Sequence, residues 1–210
     1  MDKKQHWEKV FSLKPGNEVS WYQPTPTDSL EFIQLFQLPK NAAIIDIGGG
    51  DSFLVDHLLQ QGFTDITVLD ISAAAIQKAK ARLGSNANRV NWVVSDILEF
   101  NSNKKFDCWH DRAAFHFLTE AAEVQQYLAI AAAHLQDTGK MVVGTFSTDG
   151  PEKCSGLPVK QYNEQLLSST LQQWFKKIRC IHTDHITPFK TIQKFLFCSF
   201  QKQLIPYGHS

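Results

Sequence analysis

Four aspartates close or follow short apolar segments in the first half of the chain: Asp46, Asp70, Asp96 and Asp111. A glycine run, 48–50, comes directly after the first of these segments. Carboxylates accept hydrogen bonds from hydroxyls and amines, and glycine lets a ligand approach backbone that a Cβ would shield. This combination is typical of a site where a polar or charged cofactor lies against the turn between a strand and a helix.

The elements that must position these acids follow from the hydrophobic pattern, which alternates between strand-like runs and helical spacing. Strands are expected at 43–47, 65–70, 89–96, 105–111 and 140–146, and helices at 3–12, 29–38, 51–61, 73–83, 121–135 and 163–175. Alternation of this kind implies parallel βαβ units with helices on both faces of the sheet. Ligands bind outside the carboxyl ends of such strands, where the aspartates should meet.

The last quarter of the chain departs from the alternation. Residues 147–162 form a long, glycine-containing connection, which we interpret as a flap beside the substrate. Two strand-like stretches around Thr187-Pro188 should pair as an antiparallel hairpin. We expect a single domain, 1–210. It should consist of an N-terminal helical lid segment (1–38), a cofactor-binding core (40–146), the flap (147–162) and a C-terminal helix with the hairpin (163–205).

The glycine run is compatible with two kinds of cofactor, a nicotinamide dinucleotide and S-adenosylmethionine. Asp70 lies 22 residues after Gly48, the spacing at which an acid accepts hydrogen bonds from ribose hydroxyls. The dinucleotide fingerprint G-x-G-x-x-G requires a third glycine, and this chain has Phe53 in that place. An antiparallel final hairpin is also not the second half of a dinucleotide fold. We therefore favour S-adenosylmethionine over a nicotinamide cofactor.

The order of five segments then carries a family resemblance: DIGGGDS, VLDIS, VVSDI, FDCWHDRAAFHFL and GKMVVGTF. It resembles the successive motifs of Rossmann-like (class I) S-adenosylmethionine-dependent methyltransferases of the type 11/12 methyltransferase-domain family. The resemblance covers 40–146. It implies an α/β fold with a seven-stranded, mostly parallel sheet whose last strand is antiparallel. FDCWHDRAAFHFL also looks like segments of thiopurine and thiol methyltransferases and of small protein-lysine methyltransferases.

The resemblance implies a role for each motif position. The methionine portion of the cofactor would be framed by Asp46, Gly48 and Gly50. Its ribose would be held by Asp70, its adenine would lie beside Ile71 and be contacted by Asp96 and Ile97, and its sulfonium would lie near His110. One departure is that the usual D-x-G-x-G-x-G has Ser52 in place of the third glycine.

Candidates for the acceptor side come from location along the chain. Asp111 and Arg112 follow the fourth strand and are either a structural ion pair or groups that orient a proton-bearing or acidic substrate. His116 is either a buried or surface side chain or a base. Trp21, Tyr22 and Phe146 either wall a substrate pocket or pack into the core, and Trp21 and Tyr22 ride on a proline-rich loop that could cover the site.

Bulk composition excludes some partners. Lys plus Arg equal Asp plus Glu, so the formal net charge is zero, and neither a nucleic-acid partner nor a membrane partner is expected. The four cysteines form no CxxC pair and suggest reduced, buried thiols and no metal. We expect a cytoplasmic protein that is a monomer or a weak homodimer.

These observations lead to one functional hypothesis and two alternatives. The first is methyl transfer from S-adenosylmethionine to a sulfur, nitrogen or oxygen of a small-molecule acceptor, with S-adenosylhomocysteine as the product. The second is methylation of a protein lysine. The third is a protein that binds S-adenosylmethionine without catalysis.

Overall fold

The computed structural model of this chain describes residues 2–13 and 18–204; residue 1, residues 14–17 of the predicted lid segment and residue 205 of the predicted C-terminal unit lie outside these ranges. The strands are β1 Ala43–Ile47, β2 Asp65–Asp70, β3 Val90–Val94, β4 Phe106–Arg112, β5 Leu135–Phe146, β6 Lys153–Cys154, β7 Leu157–Pro158, β8 Phe175–Ile186 and β9 Ile192–Lys202. Seven of them form one sheet in the order β3-β2-β1-β4-β5-β9-β8, in which β9 runs antiparallel to both neighbours. This arrangement confirms the predicted sheet and its C-terminal hairpin.

The helices are α1 Lys3–Leu13, α2 Thr27–Leu35, α3 Leu54–Gln60, α4 Ala73–Leu83, α5 Ala121–His134 and α6 Glu164–Leu171. Alternate strand side chains point to opposite faces of the sheet. On β1, Ile45 and Ile47 pack in the cluster that includes residues of α5 and α6, whereas Ile44 packs with residues of α2 and α3. Helices therefore cover both faces, as predicted.

Some boundaries differ from the prediction. Helix α2 begins at Thr27 rather than at residue 29 and ends at Leu35 rather than at residue 38. Strand β5 begins at Leu135, directly after α5, rather than at 140, because Leu135 pairs with Phe106 before the register shifts to the pair Lys140 and Cys108. The 147–162 connection is not wholly irregular, since β6 and β7 form a short hairpin within it.

The prediction of free, reduced thiols is wrong for two cysteines. Cys180 on β8 and Cys198 on β9 are directly opposite in the antiparallel ladder, with a Cα–Cα distance of 4.1 Å, and they form a disulfide. The bond was missed because it depends on the register of the hairpin, which cysteine spacing along the chain does not reveal. Cys108 is a buried thiol, as expected.

Candidate functional site

A cleft opens at the carboxyl ends of β1, β2 and β4, and its empty space, including its open mouth, is about 1150 Å³. It is lined by most of the predicted site residues: Trp21, Asp46, Gly48, Asp70, Ile71, Asp96, Ile97, His110, Arg112 and Phe146. The structure does not bring Tyr22, Gly50, Asp111 or His116 to the lining. The acidic half is defined here as Asp46, Gly48, Gly49, Asp70, Ile71, Asp96 and Ile97; the arginine half is Trp21, Arg112, Phe146, Cys154 and Phe195.

Asp70 is the best-held acid of the acidic half. It is buried at the end of β2, where one carboxylate oxygen accepts the N–H of Gly50 at 2.9 Å and the other accepts the N–H of Ser72 at 2.8 Å. Burial raises the pKa of Asp70 to about 6, and the two backbone hydrogen bonds oppose that shift. Each oxygen keeps a further lone pair, so Asp70 can still accept hydrogen bonds from a ligand.

The glycine run leaves no room for side chains. A Cβ on Gly49 would lie 2.2 Å from Oδ2 of Asp46, and one on Gly50 would lie 2.5 Å from the Cβ of Ala75. Gly48 has a φ of +66°, in the left-handed region that glycine adopts freely. Gly50 therefore supports the site through Asp70 and the packing of α4, although it does not line the cleft.

A buried series of side-chain hydrogen bonds supports the floor of the cleft. Nδ1 of His110 donates to Oδ1 of Asp46 at 2.7 Å, and Nε2 of the same ring is hydrogen-bonded to Oγ of Ser29 at 2.8 Å. Oδ2 of Asp46 is buried and has no hydrogen-bond partner among the residues that the structure describes. Because buried carboxylate oxygens normally have partners, this oxygen is free to accept a donor from a ligand in the cleft. Ser29 was missed, because no local pattern connects it to β4.

The far end of the acidic half combines an acid with apolar side chains. Asp96 lies beyond the end of β3, and its Oδ1 accepts the N–H of Leu98 at 2.9 Å, which caps a short 3-10 turn at Ile97–Glu99. Ile71 and Ile97 line the same region of the cleft. The arrangement offers one carboxylate oxygen beside an apolar surface, which suits a planar ring that carries an amino group.

Arg82 holds the loop that contains Ser52. Its guanidinium donates to the Ser52 carbonyl at 2.7 Å, forms ion pairs with Asp51 and Asp56, and lies 4.1 Å from the centre of the Phe53 ring. Phe53 therefore packs under the guanidinium and does not separate the helix from the strand. Arg82 is on α4 and was missed, since the loop that it holds is 26–31 residues away.

Helix α1 covers the cleft. The Glu8 carboxylate accepts Oγ of Ser72 at 2.8 Å and the N–H of Ala74 at 3.1 Å, so it sits at the positive N-terminal end of α4. Lys3 pairs with Glu123 of α5 at 2.6 Å. Lys3, Trp7 and Phe11 line the cleft. The helix thus spans the cleft from α4 to α5. Its action as a lid stays a prediction.

Arg112 is the charged residue of the arginine half. Nη1 donates to the carbonyl of Trp21 at 3.1 Å, and the guanidinium lies 5.2 Å from the centre of the Phe195 ring. The Nε and Nη2 atoms are buried without a hydrogen-bond partner within residues 2–13 and 18–204. Burial lowers the pKa of Arg112 to about 10, so the side chain keeps its positive charge at neutral pH.

Asp111 and His116 are held inside the protein. The Asp111 carboxylate accepts the N–H groups of Ala114 and Phe115 and the hydroxyl of Tyr127, at 3.1, 2.9 and 2.8 Å. Burial lowers the pKa of His116 to about 3, which leaves the ring neutral, and its Nδ1 accepts the N–H of Phe146 at 3.3 Å. The two-residue period of β4 is a signal that separates Asp111 from His110 and Arg112, because it places Asp111 on the opposite face.

Of the described residues, no three or more His, Cys, Asp or Glu side chains are grouped so that they could hold a metal ion. None of the helices within those residues is both long and apolar enough to cross a membrane.

Comparisons with known proteins agree with this geometry. Residues 45–141 match the family described as "Methyltransferase domain". The ubiquinone biosynthesis O-methyltransferase of Rickettsia conorii is 25% identical over 132 residues, which cover 63% of this chain and 44% of that protein. The eEF1A lysine and N-terminal methyltransferase of Mus musculus is 32% identical over 97 residues, which cover 45% of this chain and 14% of that protein. This chain therefore matches less than half the length of either relative.

A solved structure extends the likeness across the whole fold. The Burkholderia thailandensis 1,6-didemethyltoxoflavin-N1-methyltransferase, crystallised with 1,6-didemethyltoxoflavin and S-adenosylhomocysteine, superposes with a TM-score of 0.75 at 21% identity. The superposition covers 96% of this chain and 88% of that one. At this identity the likeness shows the fold. Together with the matched segment and the sheet order, it confirms the resemblance seen in the sequence: residues 45–141 match a methyltransferase domain, and the chain has the Rossmann-like fold of class I methyltransferases.

Proposed function

We propose that this protein transfers a methyl group from S-adenosylmethionine to a sulfur, nitrogen or oxygen atom of a small-molecule acceptor. The observation that carries the proposal is the unpartnered Oδ2 of Asp46, buried in the same cleft as Asp70. An ammonium group of the methionine portion would satisfy that oxygen, and ribose hydroxyls would use the remaining lone pairs of Asp70. Asp96, with Ile71 and Ile97, suits the amino group and the faces of an adenine.

Bound S-adenosylmethionine supplies a methyl group activated by a positive sulfur: the carbon–sulfur bond breaks with its electron pair passing to sulfur, and a lone pair of the acceptor forms the new bond. The protein's own task is then position and exclusion of water. Gly48 and Gly49 line the floor of the cleft, Gly50 supports it through Asp70, and α1, held by Glu8 and Lys3, covers it.

The three predicted catalytic residues take different roles in this proposal. Arg112 faces the cleft and would contact the acceptor. Asp111 would act as a positioning residue, because it holds the N–H groups of the turn after β4, and Ala114 of that turn lines the cleft. His116 would also position rather than transfer a proton, since it stays neutral and its Nδ1 is engaged by Phe146.

A protein lysine is the second candidate acceptor. It is favoured by the likeness to the mouse protein that is named a lysine and N-terminal methyltransferase. Aromatic side chains on the cleft wall, among them Trp21 and Phe146, could surround an alkylammonium group. The positive charge of Arg112 in the same region opposes a second cation, and for this reason we place the small-molecule acceptor first.

The experiment follows a tritium-labelled methyl group from S-adenosylmethionine into a cell lysate that is separated into protein and small-molecule fractions. The proposal predicts label in the small-molecule fraction; label confined to a discrete protein band supports the lysine alternative. Binding of the donor without label in either fraction supports a non-catalytic binding protein. Asp70→Ala should abolish transfer, whereas Asp65→Ala, at the opposite end of β2 and ion-paired with Lys104, is the matched control that should retain it.

A further inference from the structure

We infer that the methyl acceptor is a small, planar molecule that carries a carboxylate, and that Arg112 binds this carboxylate through its Nε and Nη2 atoms. The inference rests on the proposed methyl transfer and specifies the substrate class of the same cleft. It follows from three features of the arginine half: which edge of the guanidinium is free, which acids are near it, and what the surrounding walls are made of.

The free edge of Arg112 has the shape of a carboxylate receptor. Nη1 is used by the carbonyl of Trp21, and the ring of Phe195 lies against the guanidinium, so the plane of the group is held from two directions. The atoms left over, Nε and Nη2, are neighbours on one side of the guanidinium and point their N–H bonds the same way. Two parallel N–H donors match the two oxygens of a carboxylate.

No acid within the described ranges already occupies this edge. Ion pairs shorter than 4.0 Å were found for other cations among these residues but not for Arg112. The groups that influence it electrostatically are Asp28, Asp46 and the thiol of Cys154. Asp28 is hydrogen-bonded to Oγ1 of Thr183 at 3.2 Å and Oδ1 of Asp46 to His110 at 2.7 Å. Oδ2 of Asp46 has no partner among the residues that the structure describes, and it forms no such ion pair with Arg112. A buried cation with two unpaired donors is costly to the protein, and an anionic ligand removes that cost.

The position of Arg112 assigns this anion to the acceptor rather than to the methyl donor. Asp70 and Asp96 follow β2 and β3, on one side of β1, whereas Arg112 ends β4 on the other side. The carboxylate would therefore lie at the opposite end of the cleft from the ribose and adenine positions. Phe146 and Phe195 line the cleft there, which suits a flat apolar body beside the anion. A lysine ammonium would instead meet the charge of Arg112.

The test uses four pairs of compounds, and each pair consists of a charged carboxylate and the neutral amide of the same ring. The pairs are benzoate and benzamide, salicylate and salicylamide, 2-mercaptobenzoate and its amide, and 2-aminobenzoate and its amide. Each is titrated by calorimetry into the protein with S-adenosylhomocysteine present. We expect at least one carboxylate to bind about tenfold or more tightly than its amide. Arg112→Gln should remove this preference, and Arg112→Lys, which keeps the charge without the paired donors, should restore only part of it.

Two results would overturn the inference. One is that no carboxylate binds the wild-type protein better than its amide, and this comparison needs no variant. The other is that the preference persists in Arg112→Gln. Binding of S-adenosylhomocysteine is measured in the same samples. If the wild-type protein does not bind S-adenosylhomocysteine, the result counts against the proposed function. If it binds S-adenosylhomocysteine but shows no preference for carboxylates, the result counts against this inference alone.

Discussion

The two halves of the cleft differ in how their charged groups are satisfied. In the acidic half, both oxygens of Asp70 accept backbone N–H groups, and one oxygen each of Asp46 and Asp96 is bound within the protein. In the arginine half, Arg112 uses one nitrogen for Trp21 and leaves the other two without partners among the described residues. The acidic half is thus organised by the protein except at Oδ2 of Asp46, whereas the arginine half leaves two donors of a single buried cation without partners in the part of the chain that the structure describes.

The halves also differ in the sequence distances that build them. The hydrogen bonds of Asp70 and Asp96 to Ser72 and Leu98 span two residues, and that to Gly50 spans twenty. The arginine half joins Trp21 to a residue 91 positions later, and Phe195 comes from the last strand of the sheet. Under the proposed function, donor binding depends on short motifs, whereas acceptor choice depends on contacts between segments that are far apart in the chain. The predictions below test the acidic half and the residues that support the cleft, and the Arg112 variants described above test the arginine half.

The largest effect should come from Asp70→Ala. It removes the carboxylate proposed to accept the ribose hydroxyls, and hydrogen bonds to a charged group contribute about 1.5–3 kcal/mol each. The affinity for S-adenosylhomocysteine, measured by calorimetry, should fall about 100-fold. Asp65→Ala on the same strand is the control and should bind normally. An unchanged affinity of Asp70→Ala for S-adenosylhomocysteine would show that Asp70 does not contact the ribose hydroxyls.

Asp111→Asn should lower stability rather than donor affinity. The substitution puts an amide where Ala114, Phe115 and Tyr127 all donate, so one buried donor faces another, at a cost of about 2 kcal/mol. For a chain of this size that cost corresponds to a fall in Tm of roughly 4–8 °C. Tyr127→Phe should show a smaller fall. A normal Tm combined with lost transfer would show instead that Asp111 acts directly on the substrate.

Donor affinity should depend on pH through Asp70, whose pKa is raised to about 6 by burial. Above that pH the carboxylate is charged and accepts the ribose hydroxyls; below it the group is protonated and loses acceptor strength. Between pH 7.5 and pH 5 the affinity for S-adenosylhomocysteine should fall about tenfold, because only about one tenth of the Asp70 carboxyl groups stay ionised one unit below the pKa. Asp70→Asn should be weaker at every pH and flat across this range. An equal slope in that variant would assign the titration to another group.

The smallest effect should come from Glu8→Gln on the covering helix α1. The variant loses the charge that sits at the N-terminal end of α4 beside Asp70, an interaction of about 0.3–1 kcal/mol. Donor affinity should fall roughly threefold. Lys9→Gln, on the exposed side of the same helix, is the matched control and should have no effect. Equal results for the two variants would show that Glu8 does not hold the cover in place.

The sequence predicted the parts of this molecule that depend on local patterns. The strand-end acids and the sheet with its antiparallel hairpin are such parts, since each follows from periodicity or from neighbours a few residues apart. The contact of His110 with Ser29 and the disulfide between Cys180 and Cys198 depend on which distant segments meet. No spacing rule contains that information. The free edge of Arg112 belongs to the same class, because it exists only once the Trp21 carbonyl has taken Nη1.

Calorimetric titration of the unmodified protein with S-adenosylhomocysteine tests whether the acidic half binds S-adenosylmethionine. We expect one site per chain with a dissociation constant in the range of roughly 1 μM to 1 mM in which enzymes bind such substrates. Absence of any binding heat up to about 1 mM, for both S-adenosylhomocysteine and S-adenosylmethionine, would contradict it.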